Sequence, residues 1–308
     1  MPAPANCGRH PLPVTCCVVA LALSGWACWG WETSAAGSPT LRERVVLQRL
    51  DSVALPNLHH LTSRVYSGGT PQGVAGLKEL AALGVRTVIS VDGEVPPAAT
   101  AKRLGLRYVH LPIGYDGVPR ERIVELLSAV TALPGPVYIH CHRGLHRGPA
   151  AAVAVCRLIS DLDAPTAEKL LEDLGTARKY PGLYDAVENL TPVTETELLH
   201  HPAAKLPAVA KVPPLVEQMV KIEAHWESLS KRLKAPIQWD DDLRSGMVLL
   251  EELAAEAARL APTAAWQAEI EQFATAVREA VRGASNDVIE PLKERCVACH
   301  QRYRDRPQ

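Results

Sequence analysis

Two short stretches hold most of the residues in this chain that could do chemistry. In the first, HCHRGLHRGPA at 140–150, a cysteine lies among three histidines and two arginines. In the second, CVACH at 296–300, two cysteines separated by two residues precede a histidine. A metal cluster, a basic surface loop and a nucleophile in an anion-binding loop are all compatible with the first stretch. The elements that flank it distinguish among these alternatives.

The spacing of Cys141 and Arg147 favours a nucleophile in an anion-binding loop. Five residues separate them, between a strand-like GPVYI and an apolar, helix-like AAAVAVCRLI. A turn of this length can aim successive backbone N–H groups at one point. The helix N-terminus and Arg147 would lower the pKa of the Cys141 thiol, and Arg147 can hold phosphate oxygens bidentately. Gly144 would permit a close approach of the backbone.

This stretch resembles the phosphate-binding loop of the cysteine-dependent phosphatases, in particular the dual-specificity branch with its H-C-x5-R signature. YSGG, TVISV and YVHLPIGYDG extend the resemblance over residues 56–190. It implies that Cys141 attacks phosphorus to form a phosphocysteine and that Arg147 binds the phosphoryl oxygens. It also implies a general-acid aspartate after the HLPI strand, where Asp116 lies. Asp92 in SVDGEVP is the alternative.

The other residues of the phosphate-binding loop are expected to be His140, His142, Arg143, Gly144, Leu145, His146 and Gly148. We interpret His140 as a residue that orients the thiolate. His142, Arg143 and His146 either favour polyanionic substrates such as inositol phosphates or form a solvated basic rim. Zinc binding by the three histidines is disfavoured, because the C-x5-R geometry points the backbone elsewhere.

Gly148 departs from the phosphatase signature. The family has a serine or threonine after the signature arginine, and its hydroxyl stabilises the departing thiolate when the phosphoenzyme is hydrolysed. The resemblance therefore implies a competent first step and a slow second step in this chain.

Composition limits the classes of partner. The chain has 308 residues, enough for two domains, with 47% hydrophobic residues and a net charge of −1. This charge gives no argument for a nucleic-acid partner, and a single phenylalanine with seven tyrosines disfavours a stacking platform for single strands.

The N-terminal 36 residues predict an export signal, with an apolar run at 11–30 and a small-residue SAA at 34–36. An uncleaved membrane anchor is the alternative. Residues 37–55 then form an N-terminal segment before the first domain. The expected location is the periplasm or another part of the cell envelope. The mature chain would keep four cysteines, Cys141, Cys156, Cys296 and Cys299, too few for a disulfide scaffold.

The chain predicts two domains of different class. Strand and helix patterns alternate over 56–190, which indicates an α/β domain with a mainly parallel sheet flanked by helices. On its apolar helix, Cys156 is expected to be buried and inert. Residues 191–213 form a Pro-rich linker without clear periodicity. Residues 214–308 then show four helical segments with an apolar seam, which indicates a four-helix bundle.

CVACH on the last of these helices has the spacing of a haem attachment site, with two thiols for thioether bonds and a histidine for iron. Four helices ending in CVACHQRYR resemble the cytochrome c′ family over about 90 residues. The resemblance implies one covalent haem c per chain, held by Cys296 and Cys299, with His300 as axial iron ligand. It places Arg304 on the proximal side, and Met219 is either a distal iron ligand or a core residue.

Three functions follow as hypotheses. The first is an exported phosphatase joined to a haem domain that senses redox state or gas ligands or transfers electrons. The second is an electron-transfer or gas-binding cytochrome with a catalytically weak, anion-binding phosphatase-like domain. The third, sulfur or arsenate chemistry, is disfavoured by Asp116. Expected partners are a phosphorylated protein or small molecule and a redox protein, with a membrane only if the N-terminal segment is retained.

Overall fold

The structure is a computed structural model that describes residues 43–233, 237–284, 287 and 289–305. The predicted export signal at 1–36 lies outside the described residues. Within the described part of the chain, no helix is both long and apolar enough to span a membrane.

A six-stranded mixed sheet forms the centre of the N-terminal region. Its strands, in chain order, are β1 (Gln48–Arg49), β2 (His59–His60), β3 (Val65–Gly68), β4 (Thr87–Ser90), β5 (Arg107–His110) and β6 (Val137–His140). They lie in the spatial order β1-β2-β3-β6-β4-β5. The last four strands in this order run parallel, whereas β1 and β2 pair antiparallel. The predicted mainly parallel sheet is confirmed for these four strands, and β1 and β2 make the sheet mixed.

Helices cover both faces of this sheet, which explains why its central strands are apolar throughout. They are α1 (Gly73–Ala82), α2 (Ala98–Arg103), α3 (Arg120–Ala132), α4 (Arg147–Ile159), α5 (Ala164–Asp173) and α6 (Pro181–Glu188). Successive strand residues enter two different hydrophobic clusters: Tyr138 packs with α1 and α2, and Ile139 packs with α3 to α6. Helix α4 is central, and its run from Ala150 to Cys156 is fully buried.

The register of the sheet brings two separated loops to one edge. Ser90 at the end of β4 lies opposite His140 at the end of β6. The strands are parallel, so the chain leaves both at the same carboxyl edge, where ligands bind in open α/β sheets. Asp92 and Cys141, which follow these two strands, therefore meet there.

The Pro-rich segment 191–213 contains regular structure that its sequence pattern did not indicate. It forms α7 (Glu195–His200) and a single 3-10 turn at Ala203–Lys205. A capping box between Thr194 and Glu197 starts α7. Glu197 also pairs with Arg120 at the start of α3, which ties the segment to the α/β region.

The C-terminal region is helical, as predicted, with α8 (Pro214–Ser230), α9 (Asp241–Arg259), α10 (Ala264–Gly283) and α11 (Ile289–Tyr303). Consecutive helices pack against each other, and all four contribute to one hydrophobic cluster. The seam of α9 is fully buried at Leu243, Met247 and Leu250. The corresponding seam of α8 is only half-buried, at Leu215, Met219, Ile222 and Trp226.

Candidate active site

The first motif forms the loop between β6 and α4. Cys141 directly follows β6 and is 3% exposed. Helix α4 begins at Arg147, with His146 as its N-cap residue. The cysteine therefore lies below the N-terminus of a central helix, where unpaired backbone N–H groups and the helix dipole favour an anion.

Hydrogen bonds from neighbouring elements orient the peptides of this loop. The carbonyl oxygen of His142 accepts from the amide of Thr70 at 3.0 Å, and that of Arg143 accepts from Asn57 Nδ2 at 2.8 Å. The carbonyl of Leu145 accepts from Thr176 Oγ1 at 3.0 Å. In a trans peptide the N–H points opposite to the carbonyl. The N–H groups that follow these three carbonyls therefore point to the other side, where they can converge on an anion.

Gly144 allows the loop to pass close to β3. Its φ is +70°, in the left-handed region that favours glycine, and a Cβ there would lie 2.2 Å from the carbonyl carbon of Gly68. No other residue fits this position without moving the backbone, so the role predicted for Gly144 agrees with the geometry.

Arg147 is buried and held from two sides. Its Nη2 donates to Asp92 Oδ2 at 2.8 Å, and its guanidinium carbon lies 4.6 Å from the centroid of the Tyr115 ring. Its Nε has no hydrogen-bond partner among the described residues. A buried guanidinium N–H without a partner is costly in an empty protein but is satisfied by an oxyanion.

Asp92 is an ionised structural partner of the loop. One carboxylate oxygen, Oδ2, accepts from both Arg147 and the backbone amide of His142, the latter at 2.6 Å. Burial tends to raise the pKa of Asp92, but the charge of Arg147 and hydrogen bonds from the amides of His142 and Glu94 outweigh it. The net pKa lies below the ordinary aspartate value. A carboxylate with a lowered pKa and two donors is a poor proton donor.

Asp116 lies on the loop between β5 and α3 and is half-buried. Its side chain is folded over Gly114, and its backbone carbonyl packs against Gly182 at the start of α6. The preceding residue, Tyr115, is the one that covers Arg147. Of the two aspartates considered from the sequence, the structure therefore engages Asp92 with the loop and leaves Asp116 on the neighbouring segment.

Three aromatic rings border the loop at its helix end. The ring centroids of Tyr115 and Tyr180 are 4.7 Å apart, and those of His146 and Tyr180 are 4.8 Å apart. Two cations lie over these rings: Lys179 Nζ is 5.0 Å from the Tyr180 centroid, and Arg304 Cζ is 4.2 Å from the Tyr115 centroid. We call Tyr115, His146 and Tyr180 the aromatic collar.

The collar histidine is neutral. Burial lowers the pKa of His146, and the charges of Lys179, Arg147 and Arg143 lower it further, against a hydrogen bond from the Leu145 backbone that raises it. Because the pKa lies below the ordinary histidine value, His146 adds no positive charge at pH 7.

A helix of the C-terminal region supplies carboxylates to the rim of the loop. Glu227 Oε1 lies 3.2 Å from His142 Nε2 and accepts from Arg143 Nη2 at 3.0 Å. One ligand atom each of His142, Glu223 and Glu227 lie within 4.8 Å of one another. The predicted basic rim is therefore paired with α8 carboxylates in this structure, and only part of its charge faces solvent.

His140 and Cys156 are both buried. His140 Nε2 lies 2.7 Å from the Tyr108 hydroxyl, and its Nδ1 has no partner among the described residues. Burial lowers the pKa of His140 to about 4. Burial also raises the pKa of Cys156 to about 12, which matches the expectation of an inert thiol.

The residues of the second motif lie on α11. Cys296 and Cys299 are both free thiols, half-buried, one helical turn apart, and His300 follows them. Burial lowers the pKa of His300 to about 4, with smaller contributions from Arg304 and Lys179. Arg304 donates from Nε to Asp305 Oδ1 at 2.6 Å besides its contact with Tyr115.

Sequence reasoning missed the collar and the α8 carboxylates. Tyr115 is adjacent to Asp116, so its place was visible, but its contact with Arg147 depends on how the loop folds back. Lys179, Tyr180 and Glu227 lie outside every motif. No local pattern could identify them, because they reach the loop only through tertiary packing.

Comparison with known proteins gives structural similarity of limited extent. No protein-family model and no curated protein matches the chain. The crystal structure of TpbA from P. aeruginosa shares 21% sequence identity, with a TM-score of 0.42, over 53% of this chain and 98% of TpbA. TpbA in complex with pTyr gives 20%, 0.42, 53% and 97%. The core catalytic domain of the PP-IP phosphatase SIW14 from S. cerevisiae, in complex with citrate, gives 18%, 0.41, 46% and 89%.

The Asp92–Arg147 pair yields a direct prediction. In Asp92→Asn, Arg147 loses its buried counter-charge, and breaking such a pair typically costs about 3–5 kcal/mol. We expect a loss of this size in the free energy of unfolding, measured by urea denaturation. Asp173→Asn, which breaks an exposed ion pair with Lys169, is the matched control and should change little. Equal, small effects in both variants would show that the buried pair is not structurally important.

Proposed function

We propose that this chain is an exported phosphatase that hydrolyses phosphate monoesters through a phosphocysteine on Cys141, joined to a c-type haem domain. The buried guanidinium of Arg147 carries this proposal. Asp92 and Tyr115 hold it in place, its Nε lacks a partner among the described residues, and it follows the cysteine by the length of one anion-binding loop. A phosphoryl group supplies the oxyanion that such an arrangement lacks.

In the first step, the Cys141 thiolate attacks phosphorus and the bond between phosphorus and the ester oxygen breaks. Arg147 and the inward N–H groups of the loop bind the phosphoryl oxygens as charge develops on them. Asp116 gives its proton to the departing oxygen. Its loop supports this role, because the neighbouring Tyr115 already lies against Arg147. Asp92 is excluded from it by its lowered pKa and its two donors.

In the second step, water attacks the phosphocysteine. Asp116, now ionised, takes a proton from the water, the bond between sulfur and phosphorus breaks, and inorganic phosphate forms. Gly148 faces this step, since a Cβ at that position would lie 3.4 Å from Cys141 Sγ. A hydroxyl carried there could reach the departing thiolate. Glycine offers none, so the second step is the slow one.

A phosphatase assay with variants tests the proposal. The purified chain should hydrolyse p-nitrophenyl phosphate, Cys141→Ser should abolish turnover, and Asp116→Asn should lower kcat by about 10²–10⁴-fold. Asp185→Asn is the control, because Asp185 lines the same surface cleft as Asp116 but has no proposed role. No hydrolysis by the parent chain would refute the proposal, and full activity of Asp116→Asn would refute the assignment of the acid.

The missing hydroxyl makes a kinetic prediction. Rapid mixing with p-nitrophenyl phosphate should give a burst of about one nitrophenolate per Cys141, followed by slower turnover. Gly148→Ser should raise the steady rate relative to the burst, although its Cβ would lie 2.9 Å from the Cys141 amide and require a small shift. Absence of a burst, or a steady rate that serine does not raise, would contradict the assignment of a slow second step.

The residues on α11 fit a covalent haem. Haem c attachment requires two thiols one turn apart and an imidazole with a free lone pair. Cys296 and Cys299 provide the thiols, and the lowered pKa of His300 keeps its imidazole neutral at pH 7. Cys296 and Met219 pack against the same hydrophobic cluster, where the α8 seam is half-buried. We infer that a four-helix bundle closes around one haem c there, with Met219 as a candidate distal ligand. Bound haem would supply one-electron or gas-ligand chemistry.

A second candidate function rests on Gly148. If the second step is too slow to matter, the α/β region acts as an anion-binding module on an electron-transfer or gas-binding cytochrome. The burst experiment separates the two, because the module would not accumulate phosphocysteine at a useful rate.

Helix α8 supports regulation of the phosphatase by the haem domain. Leu215, Met219, Ile222 and Trp226 on one side of it pack toward the helical core. Val216, Val220, Glu223 and Glu227 form the adjacent stripe, which lies against Gly93 and His142 of the α/β region. Gly93 follows Asp92, the partner of Arg147. A shift of α8 on haem ligation would therefore reach the residues that hold the catalytic arginine.

This coupling predicts that the phosphatase rate depends on haem state. Rates with ferric, ferrous and nitric-oxide-bound protein should differ, and Glu227→Gln should reduce the difference, because it weakens the contact with Arg143 and His142. Glu217→Gln, an exposed change on the same helix, is the control. Identical rates in the three states would exclude regulation while leaving the phosphatase itself intact.

A further inference from the structure

The mouth of the pocket contains two cations that the phosphatase steps above do not use. Arg304 at the end of α11 and Lys179 before α6 lie over the faces of Tyr115 and Tyr180 in the aromatic collar. They come from different regions of the chain, 125 positions apart in sequence. No ion pair of Lys179 is present among the described residues, and Arg304 uses its Nε for Asp305.

The positions of these cations relative to the catalytic arginine follow from Tyr115. Arg147 Cζ lies 4.6 Å and Arg304 Cζ lies 4.2 Å from the same ring centroid. The two guanidinium carbons are therefore within about 9 Å of each other. Tyr115 and Tyr180 are in contact, so Lys179 extends the same positive surface. This spacing suits a small molecule that carries one anionic group at Arg147 and another beside it.

Countercharges near the loop act on the other side of the pocket. Arg143 and His142 at the rim are occupied by Glu227. His146 in the collar is neutral because burial lowers its pKa. A second anionic group of a substrate would therefore meet free positive charge on the side of Lys179 and Arg304, and would meet carboxylates on the side of α8.

We propose that Arg304 and Lys179 form a second anion subsite, so that the α/β region and α11 together select phosphomonoesters that carry another phosphoryl or carboxylate group next to the scissile one. The subsite deepens the proposed phosphatase function and rests on it. Arg304 is a planar donor that can bind such a group bidentately, and Lys179 adds a flexible point charge. The charge of the substrate, rather than the shape of its organic part, would then determine specificity.

Matched substrates test this subsite. The ratio of kcat/KM for a vicinal myo-inositol bisphosphate to that for a myo-inositol monophosphate should exceed one in the parent chain. Arg304→Gln should lower this ratio about tenfold, the loss expected when a charged hydrogen bond to an anion is removed. Lys179→Gln should lower it less. Arg302→Gln and Lys169→Gln, which carry cations paired elsewhere with Glu269 and Asp173, are the controls and should leave the ratio unchanged.

A binding measurement separates this inference from the proposed reaction. In Cys141→Ser, calorimetric titration should show tighter binding of the bisphosphate than of the monophosphate, and adding Arg304→Gln should remove the preference. That result would support the subsite even if the parent chain hydrolysed nothing. An unchanged preference in the double variant would overturn it. So would a loss of haem in Arg304→Gln with an unchanged ratio, which would assign the cation to a haem propionate.

Discussion

The buried ion pair of Asp92 and Arg147 is the interaction on which the site depends. A guanidinium without a counter-charge would not be stable at the centre of this α/β region, and a carboxylate alone would be equally costly. Together they fix the arginine beside Cys141 and anchor the loop through the amide of His142. The pair leaves Nε of Arg147 without a partner among the described residues. The protein thus satisfies the structural need for charge balance while keeping a donor available for a phosphoryl oxygen.

The same pair links the two regions of the chain. Asp92 precedes Gly93, where a Cβ would lie 2.5 Å from Val216 of α8, so the helix packs closely against the loop that carries the carboxylate. Glu227 of the same helix binds the rim, and Arg304 of α11 reaches the collar through Tyr115. The phosphate loop therefore has helical-region residues on two sides. This arrangement gives a physical basis for joining a haem domain to a phosphatase, because both share the surroundings of one arginine.

Much of this arrangement could be predicted from local sequence. The β-branched strands, the helix after the loop and the C-x5-R spacing are local signals, and they identified Cys141, Arg147 and Gly144 correctly as members of one loop. Asp92 was recognised as a competing acid, but its structural role was not, because that role depends on the register of β4 and β6. The helix in the Pro-rich segment was missed, since its stability comes from a capping box and from Arg120. Contacts of Glu227 and Arg304 arise only from packing between distant segments.

The central claim is that Cys141 becomes covalently phosphorylated, and intact-mass spectrometry after acid quenching tests it most directly. On mixing with p-nitrophenyl phosphate, the parent chain should gain the mass of one phosphoryl group, and peptide mapping should place it on Cys141. Because Gly148 slows hydrolysis in this account, the adduct should accumulate during turnover, and Cys141→Ser should not form it. Turnover without any adduct, or a phosphoryl group found on His142 or His146 instead, would contradict the account.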